Sequence, residues 1–590
     1  MDARTQPTKW PVHRALALAL VLFSFFMSAY LSRTVFERLP HLEDEVAYLF
    51  QAKVIARGDL VIESPQPRRA FWQPFVVDYE GKRFGKYTPG WPALLATGVA
   101  MGEPWVVNAF FSALAVALVY RFGSELYNRD AGLIAAGLVA FSPMALLLNA
   151  TLMGHTAALF GVLLFIYAYW RMERGKHPLG WGLVAGLALG AVLANRPLTA
   201  AGIALPFVAW SLVRLARALA AGGAHFWSRL KPLVALSVMT IILGASIPIY
   251  SAAATGDPTR NLYTLVWSYD TVGFGPCCGR SSERGEGGHN LERGVRHMRF
   301  DLSLMAADLF GWQLGDLTPE AQQHLLYEGD YYPITGVSWI LLPFGLWAAF
   351  RRRALWVWLW LGVGLAWLVF IFEYQGGALT RDPTWSYIWL AVAGLWLVLP
   401  LAVTWRSTRP VRDTWSWLLV AVALGLIMAQ LAYWIGSQRY STRYYFEALP
   451  ALALLSALPL AWLARRVGRA LVYPLVAAVL IFSLFAYSLP RIGLLYRFNQ
   501  INQDVIEGVE ARREGDRPVL VLISGSNVRW RALGSLMAVT SPYLDSDIVA
   551  AWLYSPNVRD QILEQFPDRQ IIEMQASEND VWFVDTGIYG

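Results

Sequence analysis

Apolar residues fall in long uninterrupted runs along this chain, and polar residues collect between the runs instead of alternating within them. Runs long enough to cross a bilayer occupy 15–31, 104–120, 131–148, 156–170, 179–194, 198–213, 232–250, 334–350, 354–373, 385–404, 414–435, 446–464 and 470–488. Roughly 17–25 apolar residues span the hydrocarbon as a helix. The pattern therefore predicts an α-helical polytopic membrane protein with about thirteen transmembrane helices. The stretch "PGWPALLATGVAM", 89–101, is shorter and carries two prolines, which predicts a re-entrant or interfacial helix. Beyond 488 the pattern changes. Short β-like runs, "PVLVLIS", "QIIEMQ" and "VWFVD", alternate with polar helical stretches, so 489–590 is expected to form a small α/β domain beside a membrane domain of 1–488.

Charge sets the orientation. The basic flank Arg4, Lys9 and Arg14, and the clusters Arg121/Arg129, Arg171/Arg174/Lys176, Arg214/Arg217/Arg229/Lys231, Arg351–Arg353, Arg406/Arg409/Arg412 and Arg465/Arg466/Arg469, all fall on one side if the spans alternate. Positive loops stay inside, so that side and the N-terminus are cytoplasmic. The first run lacks a small-x-small cleavage site and reads as a retained signal anchor. A first loop (32–88), a long loop (251–333) and the C-terminal domain are left on the outer face.

Composition narrows the function classes. The chain has 590 residues, 56% hydrophobic and 15% charged, with mean hydropathy +0.40. The net charge of +7 sits in topology clusters and is no nucleic-acid footprint. Arginine outnumbers lysine, as in GC-rich bacteria, so a bacterial cytoplasmic membrane is expected. The two cysteines, Cys277 and Cys278, exclude a disulfide scaffold. They are expected as free thiols, against a vicinal disulfide or a metal pair. No internal repeat of the transporter kind is visible.

Candidate chemistry concentrates in the first outer loop, at "HLEDEVAYLFQAKVIARGDL" (His41–Leu60). Val46, Leu49, Phe50 and Val54 form an apolar stripe, Gln51 and Lys53 lie off it, and Gly58 stops the helix. This predicts an amphipathic helix on the membrane surface. Glu43, Asp44 and Glu45 at its start have an ordinary explanation: helix-start acids favour the dipole by about 0.3–1 kcal/mol each, and Asp44 is a candidate N-cap. A sharper explanation is a carboxylate at the water–lipid boundary that activates an acceptor hydroxyl against a lipid-linked donor. Such a donor leaves its phosphate at the same depth and needs cations there. Lys82, Arg83, Lys86, Arg196, Arg381, Arg439 and Arg443 all fall on the outer face, against the positive-inside pattern. Anionic headgroup or phosphate binding accounts for them.

The segment "DEVAYLFQAKVIARGDL", followed about forty residues later by "KYTPGWPALLATG", resembles the first outer loop of the GT-C glycosyltransferases. Within that superfamily it is similar to the bacterial aminoarabinose transferases and the protein O-mannosyltransferases (glycosyltransferase families 39 and 83). The resemblance covers roughly 1–250 and is one of topology beyond that. It implies inverting transfer of one sugar from a polyprenyl-phosphate donor to an extracytoplasmic lipid, glycan or protein acceptor. It also implies Asp44 as the catalytic carboxylate and Lys86 as a phosphate ligand. Two departures bear on donor identity. Ala47 stands where aminoarabinose transferases carry Arg, and "KYTPG" replaces a Lys-Pro-Pro segment.

Glu45 is the second catalytic candidate, orienting Asp44 or binding substrate. Arg439, Arg443 and Arg196 follow Lys86 as donor-phosphate ligands, since guanidinium pairs phosphate oxygens bidentately. Tyr48, Tyr87, His155, Tyr444, Tyr445 and Glu447 complete the candidates for substrate contact. For the last three the bland alternative is an aromatic-belt pair and a helix-start acid, and for His155 it is a hydrogen-bonded packing residue. No cofactor is required; a divalent cation (Mg or Mn) held by Asp44, Glu45 and donor phosphate is compatible with the sequence. The long loop is rich in glycine over 269–290, and the resemblance implies that this part gates the site. The competing readings are a lipid or glycan transporter or flippase and an O-antigen-ligase-like glycan transferase. A transporter places its ionisable groups near the bilayer midplane, whereas here the anomalous charges gather at one face.

Overall fold

Each of the thirteen apolar runs contains helix. The structure is a computed structural model that describes residues 12–280, 287–314, 335–350, 354–370, 378–403, 411–437 and 439–584. Arg4, Lys9, Arg351–Arg353, Arg406 and Arg409 of the topology clusters lie outside the described residues. Among those described, nine helices are long and apolar enough to cross a membrane, from Val12–Thr34 to Arg469–Gly493. A tenth is added if Arg129–Ala140 and Pro143–Asn149, bent by 58°, count as one span. The run at 131–148 is therefore broken where a straight span was expected, because a residue before proline disfavours helical geometry. Ser338–Phe350 and Leu355–Val369 are shorter apolar helices, and so is the expected re-entrant helix, Gly90–Ala100. Large apolar side chains such as Phe482, Ile241 and Trp356 are exposed on these helices, as lipid-facing positions require.

The acid helix spans Glu43–Ala56 and stops ahead of Gly58, whose φ of 92° suits glycine. It differs from expectation in two ways. Its N-cap is Leu42, and the capping is done from the third helical position: Glu45 Oε2 accepts the backbone N–H groups of His41 at 3.0 Å and Leu42 at 3.1 Å. The helix is also buried on nearly all sides instead of lying half-wet on a membrane. Leu49 packs into the membrane-domain core, whereas Val46 packs among Ile501, Leu536 and Met537 of the C-terminal segment. Phe50 and Val54 meet Ile62 and Val76 of the outer loop. Off the stripe, Lys53 donates to the carbonyls of Ala538 and Thr540 at 2.6 and 3.1 Å. Gln51 donates to Tyr87 O and Tyr250 Oη, both at 2.9 Å. The helix is thus a wedge between two domains.

After it, Ile62–Glu63, Val76–Tyr79 and Lys82–Gly85 form a three-stranded antiparallel sheet with the third strand in the middle. The hairpin turn is Glu80–Gly81, both at positive φ (49° and 81°), the geometry that matches strand twist in two-residue turns. The strand it returns delivers Lys86 and Tyr87 to the start of the acid helix.

The C-terminal segment carries a four-stranded sheet and several helices. Val519–Ser526 is central, with Ile548–Leu553 and Gln570–Ser577 parallel on either side and Asp580–Phe583 antiparallel at the edge. Its helix Trp530–Val539 faces the acid helix. Replacing Val46 by Asp places an unpaired charge in this shared core, at a cost of several kcal/mol. The expected result is a lower midpoint in thermal unfolding and faster protease cleavage around 489–504 than in the wild type.

Candidate active site

A cavity of ≈ 510 Å³ opens between the start of the acid helix, the end of the hairpin, the junction Asn195–Pro197, and the segments 258–272 and 430–444. Asp44, Tyr48, Lys86, Tyr87, His155, Arg196, Arg439, Arg443 and Tyr444 all line it. Residues separated by up to 400 positions in sequence therefore converge on one space.

The carboxylates Glu43, Asp44 and Asp270 line the cavity, and Asp44 meets both Arg443 and Tyr87. Its Oδ2 accepts Arg443 Nη1 at 2.7 Å and its Oδ1 accepts the Tyr87 hydroxyl. Burial alone pushes this carboxyl up, but Arg443, the Tyr87 hydroxyl and Lys86 outweigh burial and hold it below the usual carboxylate range. Asp44 is therefore ionised at neutral pH.

Two cations flank it. Arg443 opens the short helix Arg443–Ala448, and its buried Nε has no partner among the described residues. Lys86 sits in an aromatic box, its Nζ 3.8 Å from the ring centre of Phe75, 4.6 Å from Trp267, 5.0 Å from Tyr263 and 5.3 Å from Tyr87. Its ion-pair partner is Asp270, at 3.3 Å. Burial pulls this ammonium below the ordinary lysine value, while Asp270 and Asp44 resist that shift.

The arginine-bearing stretch 439–444 and the neighbouring Ser437 are strapped down. Arg439 and Ser441 adopt positive φ (67° and 56°). Ser441 Oγ donates to Asp308 Oδ2 at 2.6 Å, and the Ser437 N–H to Asp301 Oδ2 at 3.3 Å. Tyr444 lies between two guanidiniums, 5.6 Å from Arg196 and 5.4 Å from Arg443, and lines the cavity instead of joining an aromatic belt.

Several expectations change here. Glu45 does not share the cavity with Asp44. It is fully buried, with Oε1 accepting the Leu152 N–H at 2.7 Å and Oε2 the Tyr440 hydroxyl at 3.0 Å besides its two capping bonds. It staples the helix to two other segments. Among the described residues no three His, Cys, Asp or Glu side chains converge as a metal site. Tyr445 is buried in the core, and Glu447 is buried beside Arg196, 3.1 Å from its Nε.

Arg439 does line the cavity, but it is held by Glu43 at 2.6 Å, and Glu43 also accepts Trp530 Nε1 of the C-terminal segment at 3.1 Å. Lys82, Arg83 and Arg381 bind elsewhere, to Ala253 O, Phe71 O and Glu292. His155 has no hydrogen-bond partner at either ring nitrogen among the described residues, unlike a satisfied packing histidine. Cys277 and Cys278 form a disulfide where free thiols were expected. The neighbouring Thr271 and Val272 line the cavity, whereas 281–286 of the expected gating loop lie outside the described residues. Ala47, where an Arg was noted in the resembling family, is wholly buried.

Sequence reasoning missed Asp270, Tyr433 and Trp434. Asp270 Oδ1 accepts Tyr433 Oη at 3.0 Å and Trp434 Nε1 at 2.9 Å. Asp270 is one acid among many in the long outer loop, and nothing in the local sequence sets it apart.

No protein-family model matches this chain, and no curated protein matches it in sequence. Solved structures do match. ArnT from Cupriavidus metallidurans, an aminoarabinose transferase bound to undecaprenyl phosphate, superposes with a TM-score of 0.51 at 12% identity, over 96% of this chain and 94% of that one. The chain shares the fold of that transferase. At this identity the likeness is one of fold. The apo form of the same transferase follows at a TM-score of 0.47 and 11% identity, covering 95% and 92% of the two chains. The archaeal oligosaccharyltransferase AglB from Archaeoglobus fulgidus, in complex with an inhibitory peptide and a dolichol-phosphate, gives 0.39 and 14%, covering 96% and 70%.

Proposed function

We propose that this chain is an inverting glycosyltransferase that moves a sugar from a polyprenyl-phosphate donor to an acceptor hydroxyl at the outer face of a bacterial cytoplasmic membrane. One observation carries the reading. A single cavity holds the Asp44 carboxylate beside Lys86 and the Arg443 guanidinium, whose Nε, like both ring nitrogens of His155 on the same wall, has no partner among the described residues. Buried donors without acceptors mark a place for an anion.

Direct displacement at an anomeric carbon needs a base for the acceptor proton and stabilisation of the departing phosphate. Asp44 takes the proton as the acceptor oxygen bonds to the anomeric carbon, and the carbon–oxygen bond to phosphate breaks with its electron pair going to phosphate. Arg443 and Lys86 receive that charge, with Arg196 behind them. The ion pair with Arg443 couples the two jobs. When donor phosphate claims the guanidinium, Asp44 loses its strongest counter-charge and becomes the better base. Glu43 and Arg439 serve as a brace to the C-terminal segment. Ionisable groups gathered at one end of the helices support an interfacial enzyme over a carrier. The fold shared with a transferase that binds undecaprenyl phosphate supports the donor class.

The test is donor turnover. The full chain in lipid nanodiscs is offered a panel of polyprenyl-phosphate pentoses, hexoses and aminosugars together with outer-leaflet glycolipid and glycan acceptors. Release of polyprenyl phosphate with one sugar class, and a product of inverted anomeric configuration, is expected. A product of retained configuration would overturn the single-displacement chemistry.

A further inference from the structure

Both cations beside Asp44 are already held by carboxylates of the protein, but in different ways. Arg443 is held by Asp44 itself. Lys86 is held by Asp270, whose two oxygens do separate work: Oδ1 is anchored by the Tyr433 hydroxyl and the Trp434 indole N–H, while Oδ2 binds Lys86 at 3.3 Å and no other partner among the described residues. The carboxylate is buried, as is the lysine, and the Asp270 carbonyl is tied to Asn261 Nδ2 at 3.1 Å. Releasing Lys86 would therefore leave Asp270 with two hydrogen-bond donors in place.

We infer that Asp270 is an internal stand-in for the donor phosphate: it occupies the anion position on Lys86 in the free protein and yields it when the lipid phosphate binds. This rests on the proposed glycosyltransferase reading and names how its phosphate site is held ready. The physical need is clear. A lone ammonium in a box of four aromatic rings is stabilised by cation–π attraction, yet a buried unpaired charge costs more than that attraction returns and tends to neutralise. Asp270 keeps the amine charged while the site is empty. The exchange then trades one anion for another around a fixed cation, so binding need not desolvate the lysine again. Asp270 is a positioning residue: it acts through Lys86 and does not touch the donor.

The charged and titratable groups facing Lys86 are Asp270 from the long loop, Asp44 from the acid helix, Arg443 from the strapped segment, and the hydroxyls of Tyr87 and Tyr263. With Asp270→Asn, only Asp44 is left to hold the proton on the amine, and Arg443 opposes it. Competition for Lys86 is gone, but so is most of the support for its charge.

The experiment measures undecaprenyl phosphate binding to the full-length protein in nanodiscs across pH 5.5–9. Asp270→Asn is expected to bind about tenfold tighter than wild type at the acid end. That advantage is expected to shrink and reverse toward pH 9, where the unsupported amine loses its proton. Asp270→Glu should restore near-wild-type behaviour. Should Asp270→Asn fail to fold, Asp270→Ser retains a hydroxyl for Tyr433 and Trp434 and carries the same test. Weaker binding at every pH would overturn the inference and make Asp270 part of the site's framework. Lys86→Gln, measured in parallel, separates the two levels. If it leaves undecaprenyl phosphate affinity unchanged, the phosphate role of Lys86 itself fails; if it weakens binding while Asp270→Asn also weakens it, only the stand-in role fails.

Discussion

Asp44→Asn is expected to lower kcat by about three orders of magnitude while leaving polyprenyl phosphate binding intact. Loss of a positioned base typically costs about 10²–10⁴ in rate, and the amide cannot accept the acceptor's proton. The isosteric amide keeps an oxygen for Tyr87 or Arg443, so the cavity wall stays in place. Removing the negative charge also frees Arg443 for phosphate, so the affinity for undecaprenyl phosphate should hold or rise. A variant that merely misfolded would lose binding along with rate. The pH dependence adds a sign check. Asp44 sits below the usual carboxylate range in the free protein, so acidification from pH 8 to pH 5 should not protonate it, and the free enzyme should show no acid limb from this group in kcat/KM. A wild-type rate from Asp44→Asn would remove Asp44 from the mechanism.

Arg443→Gln should produce the opposite split. Its guanidinium holds Asp44 at 2.7 Å and has a buried Nε with no acceptor among the described residues. Truncating one partner of a buried charge pair costs about 2–5 kcal/mol or more. Part of that loss appears as donor affinity, expected to weaken about 10–100-fold, because the phosphate loses a planar two-donor partner. The other part appears in pH behaviour. Among the influences lowering Asp44, Arg443 is the strongest, so its removal lets burial raise the carboxyl. An acid limb should then appear in kcat/KM where the wild type has none. Arg443→Lys keeps the charge without the fork and should recover the pH profile better than the affinity.

The acid helix shows what local sequence can and cannot carry. Its start, its glycine stop and the order Asp44-then-Lys86 are set by near neighbours and were legible. The role of Glu45 was not, because the Leu152 N–H and Tyr440 hydroxyl it binds arrive from 107 and 395 positions away. The same helix was read as amphipathic on a membrane surface. Periodicity identified Val46, Leu49 and Phe50 as apolar but could not say that three different partners would bury them. The positive-inside rule singles out Arg196, Arg439 and Arg443, which line the cavity, and equally Lys82, Arg83 and Arg381, which are satisfied by carbonyls or by Glu292. Charge position reports depth in the membrane, and only tertiary contacts separate a cation held by structure from one with donors to spare. Asp270 escaped notice for the same reason, since its partners lie about 160 residues further along the chain. In the C-terminal domain, Ile548–Leu553 lacks the alternation of a half-buried strand because it packs beside the central parallel strand.

The central claim is that one cavity brings a lipid phosphate to Asp44. The most direct measurement is a structure of the full chain in nanodiscs with undecaprenyl phosphate, read for the position of the phosphorus. The account predicts phosphate oxygens within hydrogen-bond distance of Lys86 Nζ and the Arg443 guanidinium, with the Asp44 carboxylate facing the side from which an acceptor enters. Lipid phosphate bound elsewhere, with the Lys86–Asp270 and Arg443–Asp44 pairs undisturbed, would contradict it.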